Sequence, residues 1–208
     1  MESGTGIVAT LIVLLAGIVP PFGAIAALIW AQWSGTPLEA LGLARPGSWV
    51  WTIAAGIAIG VALKFFTKAL LLPLLGAPST NAAYAQLVGN PAALLQLVLV
   101  SVFVGGIGEE IFWRGFLFER LGKLVGEGLG PQIAIIVVTT VAFALAHFWD
   151  QGVPGIEQAL VTGATFGTMF AVTGVLWPSI IAHAVYDLTA VALIYAGLEQ
   201  TVAHLIFR

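Results

Sequence analysis

Apolar residues along this chain fall into blocks long enough to cross a hydrocarbon core, which takes about 20 mostly apolar residues per helix. The first block, 6–33, contains Pro20 and Pro21, which remove helix hydrogen bonds and either kink the segment or split it into a re-entrant pair. A polar connection over 34–48, with Glu39 and Arg45, leads to a second block, 49–75, that carries Lys64 and Lys68. A Pro-, Ser- and Asn-rich loop over 76–91 has no formal charge. From Ala92 the chain is apolar to Gly108, then reads Glu109-Glu110-Ile111-Phe112-Trp113-Arg114-Gly115 and turns amphipathic as far as Lys123, the pattern of one helix that begins in lipid and ends at an interface. A glycine-rich turn over 122–130 precedes the fourth span, 131–148, and a short polar loop over 150–154 precedes the fifth, about 155–172. Thr173-Gly174 separates that from a sixth, 176–196. The pattern predicts an all-α, polytopic transmembrane helix bundle of about six spans, one membrane domain over 1–208.

Composition strengthens this picture. Only 7 Lys and Arg and 10 Asp and Glu occur in 208 residues, a charged fraction of 8%, where a soluble domain carries about a quarter. With 60% hydrophobic residues and mean hydropathy +1.05, polar surface is too scarce to cover a globule in water. A disordered chain, a basic nucleic-acid-binding module and an ordinary cytosolic enzyme are excluded, and no nucleic-acid partner is expected. Cysteine is absent, so there is no thiolate metal site and no thiol nucleophile. Met1 to Gly6 has no positive stretch and no small-residue cleavage site follows, which speaks against a removable signal peptide. Trp30, Trp33, Trp49, Trp51, Trp149 and Trp177 fall near span ends, as an aromatic belt would. Gly56/Gly60 and Gly163/Gly167 are small-xxx-small pairs that let helices approach closely. With six spans, Arg45, Arg120 and Lys123 share one side of the membrane, the cytoplasmic side by the positive-inside rule.

Against so sparse a background each intramembrane charge can be interpreted, since each costs about 2.5 kcal/mol or more unless paired or hydrated. Glu110 and Arg114 are i,i+4 neighbours, and an intrahelical salt bridge that only neutralises two charges would account for them. Glu109 is displaced about 100° around the same helix, free to point elsewhere. His147 ends the fourth span, while His183 and Asp187 share one face of the sixth at i,i+4. Each has a plain structural explanation: an interfacial histidine for the first, a bundle-stabilising hydrogen bond for the pair. Lys64 and Lys68 are expected to snorkel toward an interface, and His204 to be an exposed residue without a role. Co-occurrence is harder to explain away, because carboxylates and imidazoles on three apolar helices relieve one another's burial only by converging on one polar, hydrated cavity.

Glu109-Glu110-x-x-x-Arg114, Phe143-x-x-x-His147 and His183-x-x-x-Asp187 resemble, in order and helix placement, the three motifs of the CAAX protease and bacteriocin-processing (CPBP, or Abi) family of intramembrane endopeptidases, similar to CAAX prenyl endopeptidase type II. Arg114-Gly115-Phe116-Leu117 and Thr173-Gly174-Val175-Leu176-Trp177-Pro178 agree with the family's usual context. The resemblance spans a catalytic core over 94–193, with 1–91 as N-terminal transmembrane segments. It implies hydrolysis of a peptide bond in a membrane-associated, in some members prenylated, protein or peptide. Glu109 would be the general base on water, His147 would hold and polarise that water, and His183 with Asp187 would supply an oxyanion hole. Glu110 and Arg114 would support the site by fixing the helix rotation that aims Glu109.

The commoner family pattern has asparagine where this chain has Asp187. Either Asp187 is held protonated, or it orients and charges His183, which is then the principal donor; the second is preferred here, and predicts that Asp187→Asn keeps most activity. No cofactor is expected. Zinc on Glu109, His147 and His183 is an alternative, although the chain lacks an H-E-x-x-H helix. A non-enzymatic bacteriocin-immunity or scaffold protein is another, weakened because no motif position is lost. The expected partners are membrane lipid and a membrane-anchored protein or peptide substrate, and the expected location is the plasma membrane.

Overall fold

The computed structural model describes residues 4–16 and 22–207, all helix and connecting turns. Two short apolar helices, α1 (Gly4–Ala16) and α2 (Phe22–Ser34), come first; the expected break at Pro20-Pro21 lies outside the described residues. A 3₁₀ turn over Leu38–Leu41 leads to α3 (Trp49–Leu74), which opens on an N-cap in which the Ser48 hydroxyl accepts from the Trp51 N–H. The loop after α3 contains a second 3₁₀ segment, Ala82–Leu87. Next, α4 (Pro91–Val125) is capped by Asn90, whose Oδ1 accepts from the Ala92 and Ala93 N–H groups at 3.1 and 3.3 Å. Then follow α5 (Leu129–Ala146), α6 (Phe148–Thr173), α7 (Trp177–Tyr195) and a short α8 (Glu199–Ala203).

Four of these helices, α3, α4, α5 and α7, are long and apolar enough to cross a membrane. The predicted fifth span is α6, which falls short on hydropathy although it has 26 residues. Packing explains both the deficit and the crossing. Small and polar residues such as Ala159, Thr162, Gly163 and Gly167 are buried in α6, so it faces neighbouring helices more than lipid. Moreover, α3 and α7 run parallel: a Cβ on Gly56 would meet Ile181, and one on Gly60 would meet the Ala182 carbonyl and Val185. Parallel α3 and α7 require α4, α5 and α6 to alternate between them, so α6 crosses. The start of α3, the end of α4 and the start of α7 therefore share one membrane face, where the Trp49 and Trp177 rings lie 5.4 Å apart and the Trp177 indole donates to the Ala44 carbonyl. Arg45, Arg120 and Lys123 lie toward that face.

The expected polar loop at 150–154 is helical on either side of a single break at Gly152, whose φ of +64° is a left-handed conformation that glycine adopts without strain. One member of the expected aromatic belt is misplaced by the sequence: Trp30 is buried, edge-on to Phe116 at 5.1 Å and under the Arg120 guanidinium at 4.8 Å. Trp33, Trp51 and Trp149 are exposed as a belt requires.

Candidate active site

The acidic pair sits where α4 departs from ordinary α-helical bonding. Two π-helical stretches, Val100–Glu109 and Ile111–Phe116, flank Glu110, and such wide turns recur at functional sites. Gly105 and Gly106 bring this part of α4 against α7: a Cβ on Gly105 would lie 2.5 Å from the Asp187 carboxylate, and one on Gly106 would lie 2.7 Å from Ala184. With no side chains between the backbones, Glu109 and Glu110 reach His183.

Glu110 is fully buried, and its Oε1 accepts two hydrogen bonds, from Arg114 Nη1 at 2.7 Å and from His183 Nδ1 at 2.8 Å. The second Arg114 amino group donates to the Gly163 carbonyl at 3.3 Å, and the guanidinium lies over the Phe143 ring at 4.6 Å and near that of Phe166 at 5.6 Å. The His183 ring stacks on Phe166 at 4.9 Å. Because Nδ1 of His183 donates to a carboxylate, Nε2 is the nitrogen turned toward Glu109 and Asp187, 3.9 Å from Glu109 Oε2 and 3.7 Å from Asp187 Oδ2. His147 is held by its own helix, with Nδ1 donating 2.8 Å to the Phe143 carbonyl; a carbonyl only accepts, so in the neutral ring Nε2 carries the free lone pair. Glu109 Oε2 and Glu110 Oε2 are both buried without a hydrogen-bond partner.

These groups share one enclosure. A cavity of about 620 Å³ is lined by Glu109, His147, His183 and Asp187, and extends past Tyr186 toward the loop after α3. Glu110 and Arg114 lie behind its wall. The predicted site residues from three helices are thus brought together, with two corrections. Glu110, not Asp187, orients His183: the Asp187 oxygen is 3.7 Å from Nε2, too long for a hydrogen bond. Nor do Lys64 and Lys68 snorkel. Both are buried and line the cavity, Lys64 with its Nζ 3.4 Å from Gln158 Oε1 and 4.4 Å above the Tyr186 ring, Lys68 in a 2.7 Å salt bridge to Glu199. His204 is exposed.

Sequence reasoning also missed Phe166 and Gln158, which carry no motif signal. Lys64 had one, since it continues the Gly56/Gly60 stripe at i+4 and so belongs on the packed face of α3. Among the described residues no group of three or more His, Asp or Glu is arranged to hold a metal ion.

The fold and the cavity define an integral, multi-pass membrane protein with a polar site enclosed in its helix bundle. Residues 91–189, just under half of the chain and the segment that carries all three motifs, match the family model described as Type II CAAX prenyl endopeptidase Rce1-like, which supports assignment to the CPBP/CAAX protease family. The match supports a CAAX-type membrane protease in general. No curated protein and no solved structure matches it.

Proposed function

We propose that this protein is an intramembrane endopeptidase that cleaves a membrane-associated protein or peptide with a water activated by Glu109. The observation that carries the reading is the division of labour between adjacent carboxylates. Glu110 lies behind the cavity wall with its Oε1 taken by both Arg114 and His183, while Glu109 lines the cavity and its Oε2 accepts no hydrogen bond. An acceptor of that kind takes a proton from water, and the free Nε2 of His147 is a second acceptor on the same enclosure. The tetrahedral intermediate then forms next to His183, whose Nε2–H, in the protonated ring, is the donor for the developing oxyanion. Asp187 and Glu109 flank that nitrogen and stabilise its positive charge.

No metal is needed in this scheme, and among the described residues no group of three or more His, Asp or Glu is arranged to hold one. The substrate is membrane-anchored, in keeping with the family, and the apolar side chains Leu97, Val191 and Ile194 in the cavity wall suit a lipid-modified or apolar segment.

The test is a proteoliposome assay with N-palmitoylated and S-prenylated peptides. Glu109→Gln is expected to lower cleavage by about 10²–10⁴-fold, the range for loss of a general base, with the fold retained. Equal cleavage by a folded Glu109→Gln protein would end the proposal. Stoichiometric zinc in purified protein, with cleavage lost on its removal, would replace it with the metal-dependent reading.

A further inference from the structure

Among the described residues five side-chain hydroxyls line the cavity, and the protein itself occupies those that are buried, with one exception. Thr162 donates to the Ala159 carbonyl at 3.4 Å, and the Tyr186 hydroxyl lies between Thr67 Oγ1 at 3.1 Å and Gln158 Oε1 at 2.9 Å. Thr80, exposed, and Tyr84, half-buried, belong to the loop after α3. Ser101 differs from all four. It is 5% exposed and lines the cavity from α4, yet its hydroxyl makes no hydrogen bond among the described residues. It lacks even the bond to a carbonyl one turn back that Thr139, Thr165 and Thr189 make in their helices. In an apolar span such a group is retained at a cost unless something in the cavity completes it.

The place of Ser101 on α4 limits what that partner can be. Ser101 precedes Gly105 by four residues, a spacing that puts Cβ positions on one helix face about 5–6 Å apart. A Cβ on Gly105 would lie 2.5 Å from Asp187 Oδ2 and 3.7 Å from His183 Nε2, so Gly105 marks the level of the proposed oxyanion donor. Ser101 therefore stands one turn from that donor on the same wall. It lies toward the end of the cavity lined by the loop after α3, because α4 starts at Pro91 directly after that loop. Gly105 contributes no side chain between the two. An extended peptide turns the carbonyls of alternate residues to the same side, one every 6.6–7.2 Å or so at about 3.3–3.6 Å per residue. With the scissile carbonyl at His183 Nε2, the next carbonyl on that side reaches Ser101, whose hydroxyl is free to donate.

We propose that Ser101 is a substrate-binding residue that donates a hydrogen bond to the peptide carbonyl two residues from the scissile one and so fixes the register in which the bond meets Glu109. This rests on the peptidase reading above. The contact is to backbone, so Ser101 acts as a specificity determinant for conformation: it selects segments that are extended at the cut over helical ones, whose carbonyls are already bonded within the helix.

The experiment uses full-length protein in phosphatidylcholine liposomes and whichever membrane-anchored peptide of the panel is cut, with the cleaved bond located by mass spectrometry. Two analogues of that peptide carry an (E)-alkene in place of the carbonyl two residues before, or two residues after, the scissile one. The readout is the ratio of kcat/KM for parent over analogue, in wild type and in Ser101→Ala. One neutral hydrogen bond corresponds to roughly three- to tenfold. Wild type is expected to discriminate against one of the two analogues by that factor more than Ser101→Ala does, and Ser101→Ala to lose the same factor on the parent peptide. Because the hydroxyl bonds nothing inside the protein, the variant is expected to fold with an unchanged thermal midpoint. Equal discrimination by both proteins against both analogues overturns the proposal, even where Ser101→Ala is uniformly slower, since that outcome makes Ser101 a packing residue. Undiminished cleavage of the parent by Ser101→Ala overturns it as well. Failure of the catalytic reading shows elsewhere, as full cleavage of the parent peptide by folded Glu109→Gln.

Discussion

Replacing Arg114 by Met removes the counter-ion of a carboxylate that has no access to water. The Glu110 and Arg114 side chains are 0% and 1% exposed, so solvent screening gives no relief, and breaking such a pair from one side costs about 3–5 kcal/mol. In a chain of this length that is a fall in thermal midpoint of roughly 6–20 °C, measurable in detergent micelles. Glu110→Gln carries a similar penalty, because it strands the guanidinium between Phe143 and Phe166. The double variant Glu110→Gln/Arg114→Met buries no charge at this point, and its cost is expected to fall to about 1–2 kcal/mol. The two singles then exceed the double by at least about 3 kcal/mol, a coupling well outside experimental error. Activity should not follow stability back. In the double variant His183 Nδ1 faces a neutral amide instead of a carboxylate, so cleavage stays at least about tenfold below wild type although the fold is recovered. Additive single effects would show that the pair is not coupled, and full recovery of cleavage in the stable double variant would refute the role of Glu110 in positioning His183.

Three further outcomes follow from the packing. Gly60→Ala places a Cβ 2.5 Å from the Ala182 carbonyl, a backbone atom that cannot swing away, so the variant should lose about 1–3 kcal/mol and cleave more slowly as α3 is pushed off α7; an unchanged thermal midpoint would contradict the close approach. Asp187→Asn is expected to retain activity within about tenfold, since Glu110 supplies the orienting hydrogen bond at 2.8 Å and an amide adds a donor beside the oxyanion; complete loss in a folded protein would assign the carboxylate a chemical role. The chain has no cysteine, so single cysteines report topology cleanly: in sealed vesicles Glu127→Cys and Thr173→Cys should label from one side and Gln86→Cys from the other, whereas Thr173→Cys labelling together with Gln86→Cys would mean that α6 does not cross.

Much of the architecture could be read from the chain because lipid imposes a simple grammar on it. The helix carrying the acidic pair was expected over 92–123 and runs Pro91–Val125; the sixth span was expected over 176–196 and runs Trp177–Tyr195. Hydropathy was less informative for α6, which buries small and polar residues against other helices, and for Trp30, which sits near a span end yet turns inward. The charged side chains show the limit most clearly. Spacing along one helix gave the Glu110–Arg114 pair correctly, because i,i+4 partners need no tertiary information. The same reasoning assigned His183 to Asp187 and missed Glu110, since a contact across 73 positions depends on two helices packing through Gly105 and Gly106. Lys64 and Lys68 were assigned to an interface because snorkelling is the usual fate of lysine in a span; the cavity offers them a polar interior instead.

The contrast between Glu109 and Glu110 indicates why an acidic pair serves this site better than one glutamate. A single carboxylate could not both anchor Arg114 and His183 and remain free to take a proton, since each donor it accepts weakens it as a base. Adjacent positions on one helix divide the tasks, because neighbours face different directions whatever the local pitch. Glu110 faces the buried arginine and histidine, one oxygen accepting from both, and does not line the cavity, while Glu109 lines the cavity without a hydrogen bond at its Oε2. The rotation of α4 then sets which carboxylate does which, and that rotation is held by the Arg114 fork on Gly163 and by glycine contacts with α7. With Glu109 as the proposed general base, the salt bridge that alone would be read as mere charge neutralisation is what aims it, and on that proposal its strength is a condition of catalysis and not an accessory to it.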